Sequence, residues 1–238
     1  MAQVSYLEDE KMKIARGMVK NVIPIHISGY NPNSSADETV WTAGGPYPWS
    51  SLATAQTLYL KSSTNNATDR AMLVTIEGLD SNFDILKETI HLNETNSTTA
   101  VATSNTFLRI NDMYCSDANT NVGDITAHIT SGSGTVVDQI SAGHGRNMTG
   151  IYTIPAGYTG YLVKGNFSSS TASVVTFFIR PYNGGFILSH IATADNTSYE
   201  YEFPFPGVMP EKTDLDVRLE AGTGKSTCNF DILLVKNP

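Results

Sequence analysis

The sequence predicts an all-β protein made of antiparallel β-sandwich or jelly-roll modules, two in our interpretation, behind a short N-terminal arm. After residue 20, short runs alternate apolar and polar residues with the period of a β-strand. Turn-forming Asn, Asp, Gly and Ser separate these runs, and no internal segment has a convincing helical period. Apolar residues make up 40% of the 238 residues, which is enough for a dense core.

Composition narrows the possible partners. The 15 basic and 23 acidic residues give a net charge of −8 without a basic stripe, so we expect no nucleic-acid partner. No apolar run approaches the roughly 18 residues that cross a bilayer, so we expect no membrane partner. The first ten residues lack the basic head and apolar core of a cleaved signal, which predicts assembly in a cytoplasm. In that reducing compartment, Cys115 and Cys228 are interpreted as small buried hydrophobes.

The N-terminal arm, residues 1–21, differs from the rest of the chain. Leu7, Lys11, Ile14 and Met18 lie three or four residues apart, as they would on one face of a helix. Two interpretations stay open, namely a frayed terminus and an arm that becomes ordered against a neighbouring subunit. In the second interpretation, Leu7 and Ile14 are candidate partner contacts.

The predicted strands follow in order from residue 22. Residues 22–28 alternate around Pro24, and a proline favours the edge of a sheet. Residues 71–80 and 85–93, joined by a turn at 81–84, predict a hairpin with β-branched residues on both arms. The other predicted strands cover residues 57–62, 107–115, 123–130, 135–140, 150–155, 159–167, 173–181, 185–192, 198–203, 213–221 and 227–235.

The strand at residues 213–221 alternates most cleanly. Leu215 and Leu219 are predicted to face one side of the sheet, while Asp214 and Asp216 face the other. We interpret Asp214 as part of a solvated face. The same interpretation applies to Glu200, Glu202 and Glu211.

The most flexible composition lies near residues 131–150, where glycine and serine concentrate. Each side of this segment carries enough strands for a small sandwich. We therefore predict a first sandwich domain at residues 22–140 and a second at residues 141–238. One large jelly roll that shares strands from both halves is the alternative.

A long loop at residues 29–56 holds four aromatic residues that are candidate partner contacts, namely Tyr30, Trp41, Tyr47 and Trp49. Exposed aromatic rings are enriched at protein interfaces and also bind sugars. The alternative, which we favour for the rings themselves, is that they plug the open end of a sandwich. A loop this long without regular structure favours some role beyond connection.

Signals of catalysis and metal binding are weak. No P-loop, GxSxG, HExxH or GxGxxG pattern occurs. His144 lies between two glycines in the predicted inter-domain turn, where a turn role is favoured over a ligand role. Asp112, Asp117 and Asp124 flank an oxygen-rich loop, but their spacing matches no EF-hand and Asp is an ordinary turn residue. We expect no enzymatic activity, no cofactor and no bound metal.

Several segments, taken in order, resemble a family of small virion structural proteins from tailed bacteriophages, especially those of marine and cyanobacterial hosts. No single segment is diagnostic, but together they extend over about residues 22–235. The segments are residues 38–47, 76–84, 88–93, 106–110, 121–126, 139–148, 152–161 and 210–219.

The resemblance implies a non-enzymatic particle component located in the virion. Its expected partners are other virion proteins, either the major capsid protein or neck and tail components, together with further copies of itself. Capsid decoration is the favoured position. A tail-fibre or host-recognition module that binds surface glycan is the alternative.

Overall fold

The computed structural model describes residues 10–117 and 119–238, and these residues confirm the all-β fold class. Helical structure is limited to the short helix α1 (Glu10–Ala15), a single turn α2 (Ala67–Arg70) and a 3₁₀ turn at Trp49–Leu52. Leu7, a predicted contact of the N-terminal arm, lies outside the described residues.

The strands are numbered in chain order. The first eight are β1 (Val22–Ser34), β2 (Glu38–Thr39), β3 (Gln56–Ser62), β4 (Leu73–Leu79), β5 (Ile85–His91), β6 (Val101–Phe107), β7 (Arg109–Cys115) and β8 (Ile125–His128). The next eight are β9 (Val136–Ile140), β10 (Ile151–Thr153), β11 (Tyr158–Ser169), β12 (Ser173–Arg180), β13 (Ile187–Ala194), β14 (Thr197–Met209), β15 (Asp214–Ala221) and β16 (Gly224–Lys236).

Antiparallel pairing joins these strands into four sheets. Two sheets use strands from the middle of the chain, in the orders β6-β3-β8-β9 and β5-β4-β7. The other two have the orders β1-β16-β11-β14 and β10-β15-β12-β13, with β2 added to β15. We call the first pair of sheets the middle module and the second pair the outer module.

The predicted hairpin is confirmed. β4 and β5 pair from Leu73 with His91 to Leu79 with Ile85. In the turn, the Asp80 carboxylate accepts hydrogen bonds from the backbone N–H groups of Asn82 and Asp84, at 2.7 and 3.0 Å. A short acidic side chain that binds the backbone two residues on is what closes such a turn.

The predicted division at residue 140 assigns β1 incorrectly. β1 pairs with β16 from Val22 with Val235 to Ser34 with Gly224, and therefore belongs to the outer module together with the C-terminal strands. Likewise, β2 pairs with β15. The chain starts in the outer module, builds the middle module over residues 56–140 and then returns. Local alternation predicts that a segment is a strand, but it carries no information about so distant a partner. Whether the two modules behave as separate domains stays a prediction.

Each module has its own buried apolar cluster. The cluster of the middle module includes Leu58, Leu60 and Phe107, and that of the outer module includes Phe167 and Phe230, all at most 1% exposed. These side chains sit at alternate positions of their strands, as the period-two pattern requires.

Close packing in the outer module requires glycine on β1. A Cβ atom built on Gly29 would lie 2.4 Å from the Val40 carbonyl oxygen and 2.7 Å from Cys228 Sγ. Cys228 is buried and Cys115 is half-buried, and both thiols are free. Burial raises the pKa of both thiols, to about 11 for Cys115, which keeps them protonated at neutral pH.

Candidate interaction surfaces

The predicted aromatic contacts of the loop are buried. Trp41, Tyr47 and Trp49 are 3%, 5% and 8% exposed, and the Tyr47 ring centroid lies 5.2 Å from that of Trp41 and 4.8 Å from that of Trp49. The edge-to-face stack belongs to the core of the middle module. This corrects the expectation that these rings meet a partner or a sugar, and agrees with the core-plugging alternative.

The remaining predicted contacts are less enclosed. Tyr30 on β1 is half-buried, and its backbone N–H donates to the Met148 carbonyl at 3.3 Å. Ile14 on α1 is also half-buried. A partner contact at either residue stays a prediction.

Buried charges join the two modules beside the aromatic stack. Arg109 of β7 donates to the Asp214 carboxylate of β15 through Nε at 2.8 Å and Nη2 at 3.2 Å. Arg180 of β12 donates to Asp214 Oδ2 through Nε and Nη2, at 2.8 and 2.6 Å. Asp214 is 3% exposed, so the predicted solvated face is wrong at this residue. The reason is that β15 lies inside its sheet, between β10 and β12, with both faces covered.

A second buried carboxylate holds the aromatic loop in place. Asp216 is fully buried and accepts hydrogen bonds from Trp49 Nε1 at 2.7 Å, Thr39 Oγ1 at 3.0 Å and Arg218 Nε at 2.8 Å. The Arg180 guanidinium lies 4.8 Å from the centroid of Trp49. Every charge in this cluster therefore has a geometric partner, which is the pattern of a structural junction.

Asp138 on β9 is a different kind of buried carboxyl, because no cation pairs with it. It is 1% exposed and accepts hydrogen bonds from Asn147 Nδ2 at 2.7 Å and Thr149 Oγ1 at 3.1 Å. Burial raises its pKa to about 7. A carboxyl in this environment holds its proton through the mildly acidic range.

Apolar side chains remain exposed where β13 and β14, the last strands of their two sheets, form one edge of the outer module. We call this surface the β13–β14 edge. Phe205 is 89% exposed. Four further side chains there, Ile187, Leu188, Ile191 and Val208, are 49–59% exposed. Large apolar groups that are this accessible on neighbouring strands mark interaction surfaces.

Phe205 lies in an irregular part of β14. This strand pairs with β11 up to Glu202 and again from Gly207, and Pro204 and Pro206 flank Phe205 between those points. Prolines cannot donate to a neighbouring strand, so this part of the edge resists strand addition. It displays side chains rather than backbone groups.

A cleft of about 810 Å³ lies between β1 and the middle module, and we call it the β1 cleft. Residues 23–28 of β1 line one wall, and Leu79 and Ile85 line the other. Arg146 donates to Asp112 through two bonds of 2.8 and 2.6 Å inside this lining. His144, considered above as a ligand in an inter-domain turn, lines the same cleft.

Within residues 10–117 and 119–238, no group of three His, Cys, Asp or Glu side chains is arranged to hold a metal ion. Asp112 binds Arg146, Asp117 accepts the Leu73 N–H, and Asp124 accepts the Ala142 N–H. None of the helices in the described part of the chain is long and apolar enough to cross a bilayer.

No protein-family model and no curated protein matches the chain. Among solved structures, the crystal structure of the infectious bursal disease virus VP2 subviral particle has 10% identity and a TM-score of 0.23, over 91% of this chain and 70% of that one. The T=1 particles derived from this virus have 8% identity and a TM-score of 0.22, over 92% and 70% of the two chains. The T13 viral particle has 10% identity and a TM-score of 0.23, over 90% and 68%. Similarity at this level places the chain in no family.

Proposed function

We propose that this chain is a non-enzymatic structural component of a virus particle. More specifically, we propose a head decoration or accessory protein of a tailed bacteriophage that acts through contacts with other virion proteins. The observation that carries the proposal is the β13–β14 edge, where Phe205 is 89% exposed on an otherwise well-packed scaffold. The segments that resemble phage virion proteins support the same assignment from the sequence side.

The chemistry of the β13–β14 edge fits a protein partner. An exposed aromatic ring surrounded by aliphatic side chains can fill a pocket on another protein and exclude water from the contact. The two prolines beside Phe205 prevent indiscriminate pairing between edges while leaving the ring available. A net charge of −8 disfavours binding to DNA, which suits the exterior of a capsid.

The buried junction supports a structural rather than a catalytic role. Asp214 and Asp216 are each held by several donors in the interior, and neither is left open to a substrate. The glycan alternative loses its aromatic platform, because the three rings on which it rested are buried. We therefore advance no second function.

The test is incorporation into particles of the parent phage, measured by quantitative mass spectrometry of purified virions. We expect Phe205→Ser to lower the copy number about tenfold, since it removes the central apolar anchor. Val122→Ser is the matched control, because Val122 is also exposed, at 49%, but lies outside the β13–β14 edge. Wild-type copy number for Phe205→Ser, or absence of the wild-type chain from virions, would refute the proposal.

A further inference from the structure

The backbone of β1 presents unused hydrogen-bonding groups to the β1 cleft. Lys236 N–H donates to the Asn21 carbonyl at 2.9 Å, so the odd-numbered residues of β1 bond to β16. Tyr30 N–H instead donates away from β16, to Met148. Even-numbered residues therefore point their N–H and C=O groups outward, and no described residue bonds the outward N–H groups of His26 or Ser28.

The β1 cleft follows this strand edge. Residues 23–28 all line it, although their side chains alternate between the two faces of the sheet, so the open space runs along the backbone. Pro24, which lacks an N–H, occupies an outward position where no bond to β16 is lost. Ile23 and Ile85 line the cleft from opposite walls and are 41% and 58% exposed. The cleft therefore combines strand-pairing groups with apolar side chains.

We propose that the β1 cleft binds residues 2–8 of a second copy of this chain as an added β-strand. Free N–H and C=O groups at every second residue recognise an extended polypeptide. The middle module closes the far side of the cleft, which leaves room for one strand rather than for the edge of another sheet. In residues 2–6, Ala2, Val4 and Tyr6 alternate with polar residues, which is the pattern of a strand with one apolar face.

The place where the described chain begins favours a second copy over the same chain. Lys11 Nζ lies 3.5 Å from Glu202 Oε1 on β14, and β14 and β1 are opposite edges of one four-stranded sheet. The described chain thus begins about 14 Å, or three strand spacings, from its own β1 edge. A segment donated at one edge and received at the other gives a head-to-tail contact between copies.

This inference deepens the proposed function by naming a contact between subunits. Its test uses the purified full-length chain without particles, so failure here leaves the role in the particle to be decided by incorporation. The measurement is sedimentation equilibrium from about 1 to about 100 µM, a range that reveals micromolar association. We expect the wild-type chain to associate with itself.

Ser28→Pro removes an outward N–H and, by our assignment, no bond to β16. Ser28→Ala is the matched control, because both variants lose the hydroxyl that donates to Asn229 Oδ1 at 2.7 Å but the alanine keeps the N–H. We expect Ser28→Pro to weaken association about tenfold and Ser28→Ala to leave it within about twofold. A monomeric wild-type chain, or equal association of the two variants, would overturn the inference.

Val4→Pro, with Val4→Ala as its control, tests the donor strand. It should weaken association as much as Ser28→Pro, and the double variant should be no weaker than either single one, because both changes break one contact. Wild-type association of Val4→Pro would mean that another segment occupies the cleft, and the proposal would be wrong. If Ser28→Pro does not fold, the Val4 pair decides the outcome alone.

Discussion

The 41–49 loop and the β13–β14 edge both carry large aromatic side chains, yet the first buries them and the second displays one. Trp49 is 8% exposed, whereas Phe205 is 89% exposed. The difference lies in the neighbours that each segment meets. Asp216 accepts the indole N–H of Trp49 and the Arg180 guanidinium covers its ring, so the loop has partners within its own chain. Phe205 lies between two prolines on the last strand of a sheet, and its potential partner is another molecule.

The comparison would break most visibly if the charged junction behind the loop were not essential. We expect Asp214→Ala to lower the free energy of unfolding by about 5 kcal/mol, because it leaves the Arg109 guanidinium buried without its carboxylate. Asp231→Ala is the control, because its carboxylate pairs with the largely exposed His26 and should contribute less than about 1 kcal/mol. Urea unfolding measures both values, and similar losses in the two variants would contradict the buried junction.

The ring itself provides the next test. Trp49→Ala should lower the free energy of unfolding by about 4 kcal/mol, because it leaves a cavity in the core and removes the donor to Asp216. Trp49→Phe fills most of the cavity but lacks the N–H, and should cost about 1–2 kcal/mol. A loss below about 1 kcal/mol for Trp49→Ala would mean that the loop is not part of the core in solution.

The isolated carboxyl of Asp138 sharpens the contrast with the paired Asp214 through pH. Burial raises the pKa of Asp138 from its ordinary value of 3.8 to about 7 in the folded chain. Between about pH 4 and pH 7 the folded state therefore holds a proton that the unfolded state has lost, so the contribution of Asp138 to stability falls as pH rises through this window. Asp138→Asn cannot titrate and should flatten this dependence.

Urea midpoints at several pH values from 4.5 to 7.5 measure the effect of Asp138. The wild-type midpoint should fall more steeply with rising pH than that of Asp138→Asn. The carboxylates of Asp69 and Glu77 have pKa values lowered by hydrogen bonds that outweigh their burial, so they lose stabilising interactions at lower pH and do not mask the window. Parallel curves for the two proteins would show that Asp138 is ionised when folded.

The smallest expected change in stability is at the exposed side of the comparison. Phe205→Ser should alter the free energy of unfolding of the isolated chain by less than about 0.5 kcal/mol, because the ring has little contact with the rest of the chain. Calorimetry beside Val122→Ser checks this expectation. Destabilisation above about 1.5 kcal/mol would show that Phe205 packs within its own chain.

Local pattern was sufficient for the fold class and for the β4–β5 hairpin, because period two and a turn are properties of neighbouring residues. It was insufficient for β1, whose partner β16 lies about 200 residues away in the sequence. The same limit explains Asp214. Alternation correctly separates its face from that of Leu215, but only the packing of Arg109 and Arg180 shows that the acidic side is also buried.

Exposure was the hardest property to predict at the interaction surfaces. Tryptophans in a long loop are a stronger signal of contact than a Phe-Pro-Phe-Pro segment, yet burial reverses the two. The strand edge that Phe205 occupies depends on the order β1-β16-β11-β14, which pairs strands from both ends of the chain. The two prolines of β14 were a usable signal, because proline inside a strand favours a sheet edge.

The central claim is that this chain works by adhesion to other virion proteins through the β13–β14 edge. Electron cryo-microscopy of the intact parent phage at side-chain resolution tests it most directly. The account predicts density for this chain in the particle, with Phe205 enclosed by residues of a neighbouring subunit. A particle map that contains the chain with Phe205 facing solvent in every copy, or that lacks the chain altogether, would contradict it.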